Sequence, residues 1–403
     1  MKNGSIDLIQ SQRGIINFLL AGALGLASVF FLSPAQAEQS TDDLLGKVFE
    51  QIERNHLDQA LTQVEALLRA KPNFRLAYLI KGDLLLARGR ELKSFGNAPH
   101  GSSGRLDDLR AEALVRLRAY RDRPSNDHVP RYLMQLRADQ RYAIVVDNKR
   151  SRLYLYQNEN GRPRFVADYY ISIGKRGGEK TREGDERTPV GVYHVTASLP
   201  RNKLADFYGS GAFPINYPNE WDKRHGRNGS GIWLHGSPSD TYSRAPRASN
   251  GCVVLANADL DALSNKMQIG LTPVIISEQV EWLSLDDWDA ERNALNAEIE
   301  RWRSDWESRD TDRYLTHYSK KFSTGRESYA DWAQHKRQVN KAKSWIKLGL
   351  SNFSVFRNPG KEELVVVAFD QDYRSSNLSN KMKKRQYWTK EGGKWRIIYE
   401  GAG

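Results

Sequence analysis

A single cysteine, Cys252, occurs in 403 residues, and His235 stands seventeen positions upstream of it in the segment GIWLHGSPSDTYSRAPRASNGCVVLANADLDAL. A thiol attacks a carbonyl as its thiolate, and free cysteine is mostly protonated near neutrality. An imidazole within hydrogen-bonding reach can take that proton and later give it to a leaving amine. The pair therefore points to covalent acyl transfer, with Cys252 as nucleophile and His235 as proton acceptor and donor. Gly251 lets the backbone turn tightly before the nucleophile, and the N–H groups of Gly251 and Cys252 are expected to face a tetrahedral oxyanion, an arrangement worth about 3 kcal/mol per donor. Ser249 is expected to fix this loop or polarise the site.

The other histidines lack such a partner. His56, His100 and His128 fall in helical sequence or its linkers, and His317 and His335 lie near the C-terminus. His194 sits within a strand pattern, where packing accounts for it, and His225 has no partner by spacing. No His/Cys/Asp/Glu cluster has metal-ligand spacing, so neither a metal nor another cofactor is expected.

The elements that must hold these residues follow from hydrophobic periodicity. From Arg141 the period is two: YAIVVDNKRSRLYLYQ reads as a hairpin with Asp147-Asn148-Lys149 in the turn, followed by RFVADYYISIG, RTPVGVYHVTASL (opened by Thr188-Pro189), GIWLHGSP and TPVIIS. A glycine- and charge-rich loop, GKRGGEKTREG, runs from Gly174 to Gly184. These strands predict a mainly β catalytic domain over 141–278. The sequence NADLDAL after Cys252 predicts a helix with Asn257 as its N-cap and Asp259 and Asp261 in its first turn.

Residues 38–135 read as a helical region. Leu57, Ala60, Leu61, Val64, Leu67 and Leu68 recur at helical spacing, Pro72 interrupts, and Leu76–Leu86 resumes the pattern. This stretch resembles a tetratricopeptide-type helix pair, too short for a stacked array. Residues 91–104 are expected to form a flexible break and Arg105–Tyr120 a further amphipathic helix. The region reads as a module for docking, dimerisation or positioning. Over 288–403 a helix carrying Trp302 and Trp306 on one face precedes alternating strand patterns. The span from DWESRDTDRYLTHYS to KRQYWTKEGGKWRIIYEG resembles the cone-shaped α+β fold of the nuclear-transport-factor superfamily, which implies a pocket without assigning an activity.

Lys2 and Arg13, the apolar run Ile15 to Leu32 and Ala35-Gln36-Ala37 together read as a signal peptide over 1–37, with an uncleaved anchor as the alternative. Export to the periplasm explains why a thiol without a disulfide partner needs a chemical reason to be kept. Losing two basic residues and one acidic residue with that segment lowers the formal charge from +12 only to +11. Export and the scattered Lys and Arg residues argue against nucleic acid. They favour an anionic envelope partner, with contact to the membrane only through an uncleaved N-terminal segment.

The paired H-G and S-N-G-C elements, in that order, resemble the catalytic signature of the L,D-transpeptidases (the YkuD-type family), and EGDERTPVGVYHV is similar to the family's strand before the active site. The resemblance implies that Cys252 forms a thioester with peptidoglycan tetrapeptide stems at the bond between the L-centre and D-Ala, and that the Gly236 carbonyl orients the His235 ring. An amine from a second stem, or from an outer-membrane lipoprotein or another envelope protein, would resolve the thioester. Many family members have histidine at the position of Asn250 and arginine at that of Val254, so the groups that hold the substrate here differ. Arg244 and Arg247, with Arg187 and Lys175, are the basic candidates for holding substrate carboxylates, and Asn250 is a further substrate-binding candidate. The three-part arrangement is similar to that of cell-shape-determining L,D-carboxypeptidases. Two alternatives accordingly stand beside transpeptidation: a carboxypeptidase or amidase that uses water as acceptor, and a non-catalytic peptidoglycan-binding scaffold.

Overall fold

The computed structural model describes residues 40–97, 101–125, 127–324 and 327–403. The signal-peptide reading of 1–37, and His100, lie outside them. Among the described residues no helix is long and apolar enough to cross a membrane.

The chain opens with α1 (Thr41–Glu53), α2 (Leu57–Ala70), α3 (Arg75–Ala87) and α4 (Ser103–Arg121). Ser40 caps α1 by accepting the Asp43 N–H. The predicted stripe of α2 buries Ala60, Leu61, Val64, Leu67 and Leu68 against Leu45, Val48, Phe74, Leu76 and Ile80. The break expected at 91–104 is pinned on its described part: the N–H groups of Gly96 and Asn97 donate to the Asp83 carboxylate at 2.6 and 2.8 Å.

One expectation fails here. Residues 128–135, assigned to the helical region from sequence, form β1 (His128–Pro130) and β2 (Leu133–Gln135). β2 joins the C-terminal sheet, where its short run Leu-Met supplies buried side chains.

The catalytic region comprises β3 (Tyr142–Asp147), β4 (Arg152–Glu159), β5 (Arg162–Gly174), β6 (Gly191–His194), β7 (Leu199–Pro200), β8 (Gly211–Pro214), α5 (Glu220–Arg224), β9 (Trp233–His235), β10 (Arg247–Ser249), β11 (Val253–Leu255), α6 (Asn257–Ser264) and β12 (Pro273–Ser277). Its sheet runs β6-β12-β3-β4-β5-β11-β9-β8-β7, with β10 added alongside β5. Alternating Ile144, Val146, Leu153, Leu155, Ile171 and Ile173 fill one face of the core, with Leu234, Val253 and Leu255 beside them. α6 is capped at Ala256, not Asn257. Asn257 turns its amide away, donating to Ser237 O at 2.9 Å and accepting from Ser210 N at 3.0 Å, so it ties the His235 loop instead of capping a helix.

β13 (Trp282–Ser284) pairs with β1 and leads into α7 (Leu285–Glu307), α8 (Thr311–Leu315), α9 (Tyr329–Lys341), β14 (Ile346–Arg357), β15 (Leu364–Ser375), β16 (Leu378–Glu391) and β17 (Lys394–Ala402). The long antiparallel sheet, ordered β17-β16-β15-β14-β2, wraps around Trp302, Trp306, Tyr314, Tyr318 and Trp332 from the helices. The fold is therefore a helical N-terminal region, a mainly β catalytic domain and an α+β cone-like C-terminal domain, as expected from sequence.

Candidate active site

β9 ends on His235, and β11 begins one residue after Cys252. The two strands are parallel neighbours, with Leu234 opposite Val253 and His235 opposite Val254. This pairing throws the intervening residues out as a loop and brings its two ends together.

His235 is buried, 1% exposed, with the rings of Tyr208 and Phe207 centred 5.1 and 5.8 Å away. Its Nδ1 lies 2.7 Å from the Gly236 carbonyl oxygen. A carbonyl can only accept, so Nδ1 carries the proton and the Nε2 lone pair is left as the basic site. Burial drives the imidazole down to about 4; the Gly236 carbonyl opposes this and the charge of Arg244 adds to it. Cys252 is half-buried, with Sγ 3.4 Å from Gly231 O. Burial raises its thiol above the ordinary value, and the Trp233 N–H, Arg244 and Lys180 offset this only in part. Thiol and imidazole are therefore both neutral at rest. This favours proton transfer during attack over a preformed thiolate–imidazolium pair.

Gly251 has φ +127°, a conformation that side-chain-bearing residues rarely adopt, and a Cβ there would lie 2.7 Å from Arg187 O. Its carbonyl accepts from Thr188 Oγ1 at 3.0 Å. Its N–H donates to Ser249 Oγ at 3.1 Å, and that hydroxyl donates to Cys252 O at 2.6 Å. The expected oxyanion role of Gly251 N–H is thus corrected: the group is already occupied by Ser249. The Cys252 N–H makes no hydrogen bond to the described residues and is the donor left for an oxyanion. Gly236 is needed for close approach, since a Cβ would collide with Asn257 Oδ1, and its N–H donates to Tyr208 O at 3.0 Å.

The candidate carboxylate holders separate clearly. Lys175 Nζ bonds Asn250 Oδ1 at 2.9 Å and Glu186 at 3.1 Å, so Lys175 and Asn250 engage each other. Arg187 Nη1 donates to Gly178 O at 2.9 Å, and Arg247 is exposed on β10. Arg244 differs from these. Its Nη2 donates to Ala248 O, its guanidinium lies 5.3 Å from the Phe207 ring centre, and its Nη1 is buried without a partner among the described residues. Its charge acts on both His235 and Cys252.

Several contributors were not evident from sequence. Thr188, fully buried, links Gly174 N (2.9 Å) to Gly251 O, a tie that the sequence signal of Thr188-Pro189 as a strand opening does not reveal. In the glycine-rich loop, Asp185 accepts from the N–H groups of Thr181, Arg182 and Arg187 and from Lys180 Nζ at 2.7 Å. Tyr208 and Phe207 lie in a segment with no regular period. His194 is placed against Arg385 and Glu220, and His225 packs on Trp221, both apart from the Cys252 loop. Among the described residues no group of three or more His, Cys, Asp or Glu could hold a metal ion.

A mainly β sheet that pairs the strand ending on a buried imidazole of fixed tautomer with the strand that follows Cys252 fits a cysteine-type L,D-transpeptidase domain. Residues 141–276 match the family model of the L,D-transpeptidase catalytic domain, and residues 294–401 that of the Cds6 C-terminal NTF2-like domain. The structure of Bd1075 from Bdellovibrio bacteriovorus is 31% identical, with a TM-score of 0.61, over 69% of this chain and 98% of that one. The helical cell shape determining protein Pgp2 from Campylobacter jejuni is 26% identical, with a TM-score of 0.58, over 67% of this chain and 95% of that one. The putative L,D-transpeptidase YafK of Escherichia coli K12 is 29% identical over 134 residues, 33% of this chain. The alignment spans 49% of that protein, about half the length of the curated relatives matched. The chain belongs to the L,D-transpeptidase family, in the form that carries an NTF2-like C-terminal domain.

Proposed function

We propose that this protein is an exported, periplasmic L,D-transpeptidase that acts on the tetrapeptide stems of peptidoglycan through a Cys252 thioester. The observation that carries the reading is the His235 Nδ1–Gly236 O hydrogen bond of 2.7 Å. It presents the Nε2 lone pair from a strand paired in register with the strand that follows Cys252.

Cys252 Sγ attacks the carbonyl of the L-centred third residue while Nε2 takes the thiol proton, and the Cys252 N–H supports the oxyanion. Collapse breaks the carbon–nitrogen bond. D-Ala leaves with the proton from His235, and an acyl thioester remains. An amine from a neighbouring stem or from an envelope lipoprotein then attacks the thioester, gives its proton to His235 and restores the thiol. Arg244, with its unpaired buried Nη1, holds a stem carboxylate beside the scissile bond. Asn250, two residues before Cys252, and Arg247 on β10 are exposed and free to meet the rest of the stem.

A second reading is supported by the match to the cell shape determining protein Pgp2 across 67% of this chain: water resolves the same thioester, and stems are trimmed instead of joined. Incubation with tetrapeptide muropeptides and product analysis by mass separates the two. Cross-linked dimers identify transpeptidation, and tripeptide monomers identify carboxypeptidation. Full complementation in cells by a Cys252→Ala protein that turns over no muropeptide would defeat both and leave a binding scaffold.

A further inference from the structure

The loop between His235 and Cys252 does not rest on the catalytic domain alone. Its outer half is held by the helical region. The Asn73 side chain donates to Ser239 O at 3.1 Å, and Asn73 O accepts the Tyr242 N–H at 3.3 Å. The rings of Tyr242 and Phe74 are centred 4.7 Å apart. One residue on, Ser243 Oγ donates to Glu112 Oε1 at 2.7 Å. Glu112 also accepts from Arg116 Nε at 2.9 Å, and both side chains are buried on α4. The Arg116 guanidinium lies 3.7 Å from the centre of the Tyr170 ring, and Tyr170 OH donates to Arg244 O at 2.7 Å. Asp42 of α1 bonds both Arg116 and Arg152, and Arg152 also bonds Asp168.

These contacts converge on one residue. Arg244 is fixed on one side through Ser243 and on the other through its own carbonyl. Its Nη1, without a partner among the described residues, belongs to the guanidinium whose charge acts on the thiol and the imidazole alike. The buried ionic cluster of Asp42, Glu112, Arg116 and Arg152 is larger than a helix-to-sheet junction needs, because buried pairs add little net stability. It does fix geometry, since each member is hydrogen-bonded in one arrangement.

We propose that the N-terminal helical region is a positioning device for the active-site loop. Glu112 and Arg116, acting through Ser243 and Tyr170, aim the Arg244 guanidinium at the place where a substrate carboxylate lies beside the Cys252 sulfur. The carboxylate assignment rests on the reading under Proposed function. The placement of the guanidinium does not, and it can be tested without any stem peptide.

The test compares alkylation of Cys252 in the full chain by iodoacetate, which carries a carboxylate, and by iodoacetamide, which does not. A guanidinium held beside the sulfur favours the anionic reagent, so the ratio of the two rates reports its position. Arg244→Ala is expected to lower the iodoacetate-to-iodoacetamide ratio about tenfold. Ser243→Ala and Tyr170→Phe, each removing one hydroxyl, are expected to lower it at least threefold while the iodoacetamide rate stays within twofold of wild type. With stem peptides the same two variants should raise KM and leave kcat within about threefold. If the ratio falls in Arg244→Ala but is unchanged in both Ser243→Ala and Tyr170→Phe, Arg244 holds its place without the helical region and the proposal is overturned. If even Arg244→Ala leaves it unchanged, the guanidinium is not at the sulfur and the proposal is likewise overturned. A normal ratio pattern in a protein that turns over no stem would sustain the positioning and defeat the substrate reading.

Discussion

The Gly251 N–H donates to the hydroxyl of Ser249 at 3.1 Å, and the same hydroxyl donates to the carbonyl of Cys252 at 2.6 Å. One buried side chain thus closes the turn on both sides of the nucleophile and occupies the amide that would otherwise face the substrate. Ser249→Ala removes an acceptor from one buried backbone group and a donor from another. A loss of about 2 kcal/mol in unfolding free energy is expected. Turnover should fall at least tenfold, since the Cys252 amide loses its fixed direction. Thermal unfolding and product formation measure the two effects separately. Unchanged turnover would mean that the turn holds without the hydroxyl.

His235 governs the acid limb. Its pKa falls from 6.5 in an unfolded chain to about 4 in the fold. Between these values the unfolded chain binds more protons than the folded one, so stability must decline as pH drops from about 6.5 towards 4 and level off below. The size is at most about 3 kcal/mol. His235→Gln should lose this dependence in denaturant titrations at pH 4.5 and 7. The kcat/KM profile of the wild type should keep its plateau down to about pH 5, where an ordinary imidazole would already be charged. For the same reason, iodoacetamide labelling of Cys252 should rise only above the ordinary thiol range, because burial raises the thiol pKa.

Asp185 organises the glycine-rich loop beside the site. Burial raises its pKa, yet Lys180 and three backbone N–H groups outweigh this and bring it to about 2. Its contribution is present above the unfolded value of 3.8 and disappears as pH falls towards 2. Asp185→Asn leaves Lys180 charged and buried, so a loss of about 3 kcal/mol is expected. Adding Lys180→Met should restore most of that stability by removing the stranded charge. The double variant should still label more slowly at Cys252 than wild type, because the positive charge that lowers the thiol pKa is gone. Calorimetry and labelling rates report the two outcomes.

The sheet that positions His235 and Cys252 was legible because short apolar runs such as YAIVVD and PVIIS, buried along nearly their whole length, have few other ways to bury their side chains. The α2–α3 pair was legible from its apolar stripe. What escaped depends on contacts distant in sequence. Residues 133–135 add to a sheet whose other strands begin two hundred residues later, and no local pattern in Leu-Met-Gln announces that partner. Asn257 has the residue type of an N-cap, yet its amide is better satisfied by Ser237 and Ser210, some twenty and forty-seven positions away. Arg244 was one of four basic candidates of equal standing by type. Only burial left one of its nitrogens without a partner among the described residues while Lys175 and Arg187 found theirs.

The C-terminal domain is joined to the catalytic domain through α5. The Trp221 ring stacks on Tyr387 of β16, with centres 5.3 Å apart and planes at 14°, and Arg385 Nη1 donates to Glu220 Oε1 at 2.8 Å. Trp221 is 6% exposed, and around it Leu364, Val366 and Tyr387 form a small apolar cluster between the two domains. An aromatic pair of this kind adds about 1 kcal/mol to the burial itself, and truncating a buried tryptophan costs about 3–5 kcal/mol. The cluster is small, so losing its largest member should uncouple two domains that each keep their own core. Calorimetry of the wild type should therefore show one transition, whereas Trp221→Ala should show two. Arg385→Ala, which removes a partly exposed ion pair, should lower the single transition by only a few degrees. One transition in Trp221→Ala, shifted but undivided, would mean that the β1–β13 and β2–β14 pairings carry the coupling instead.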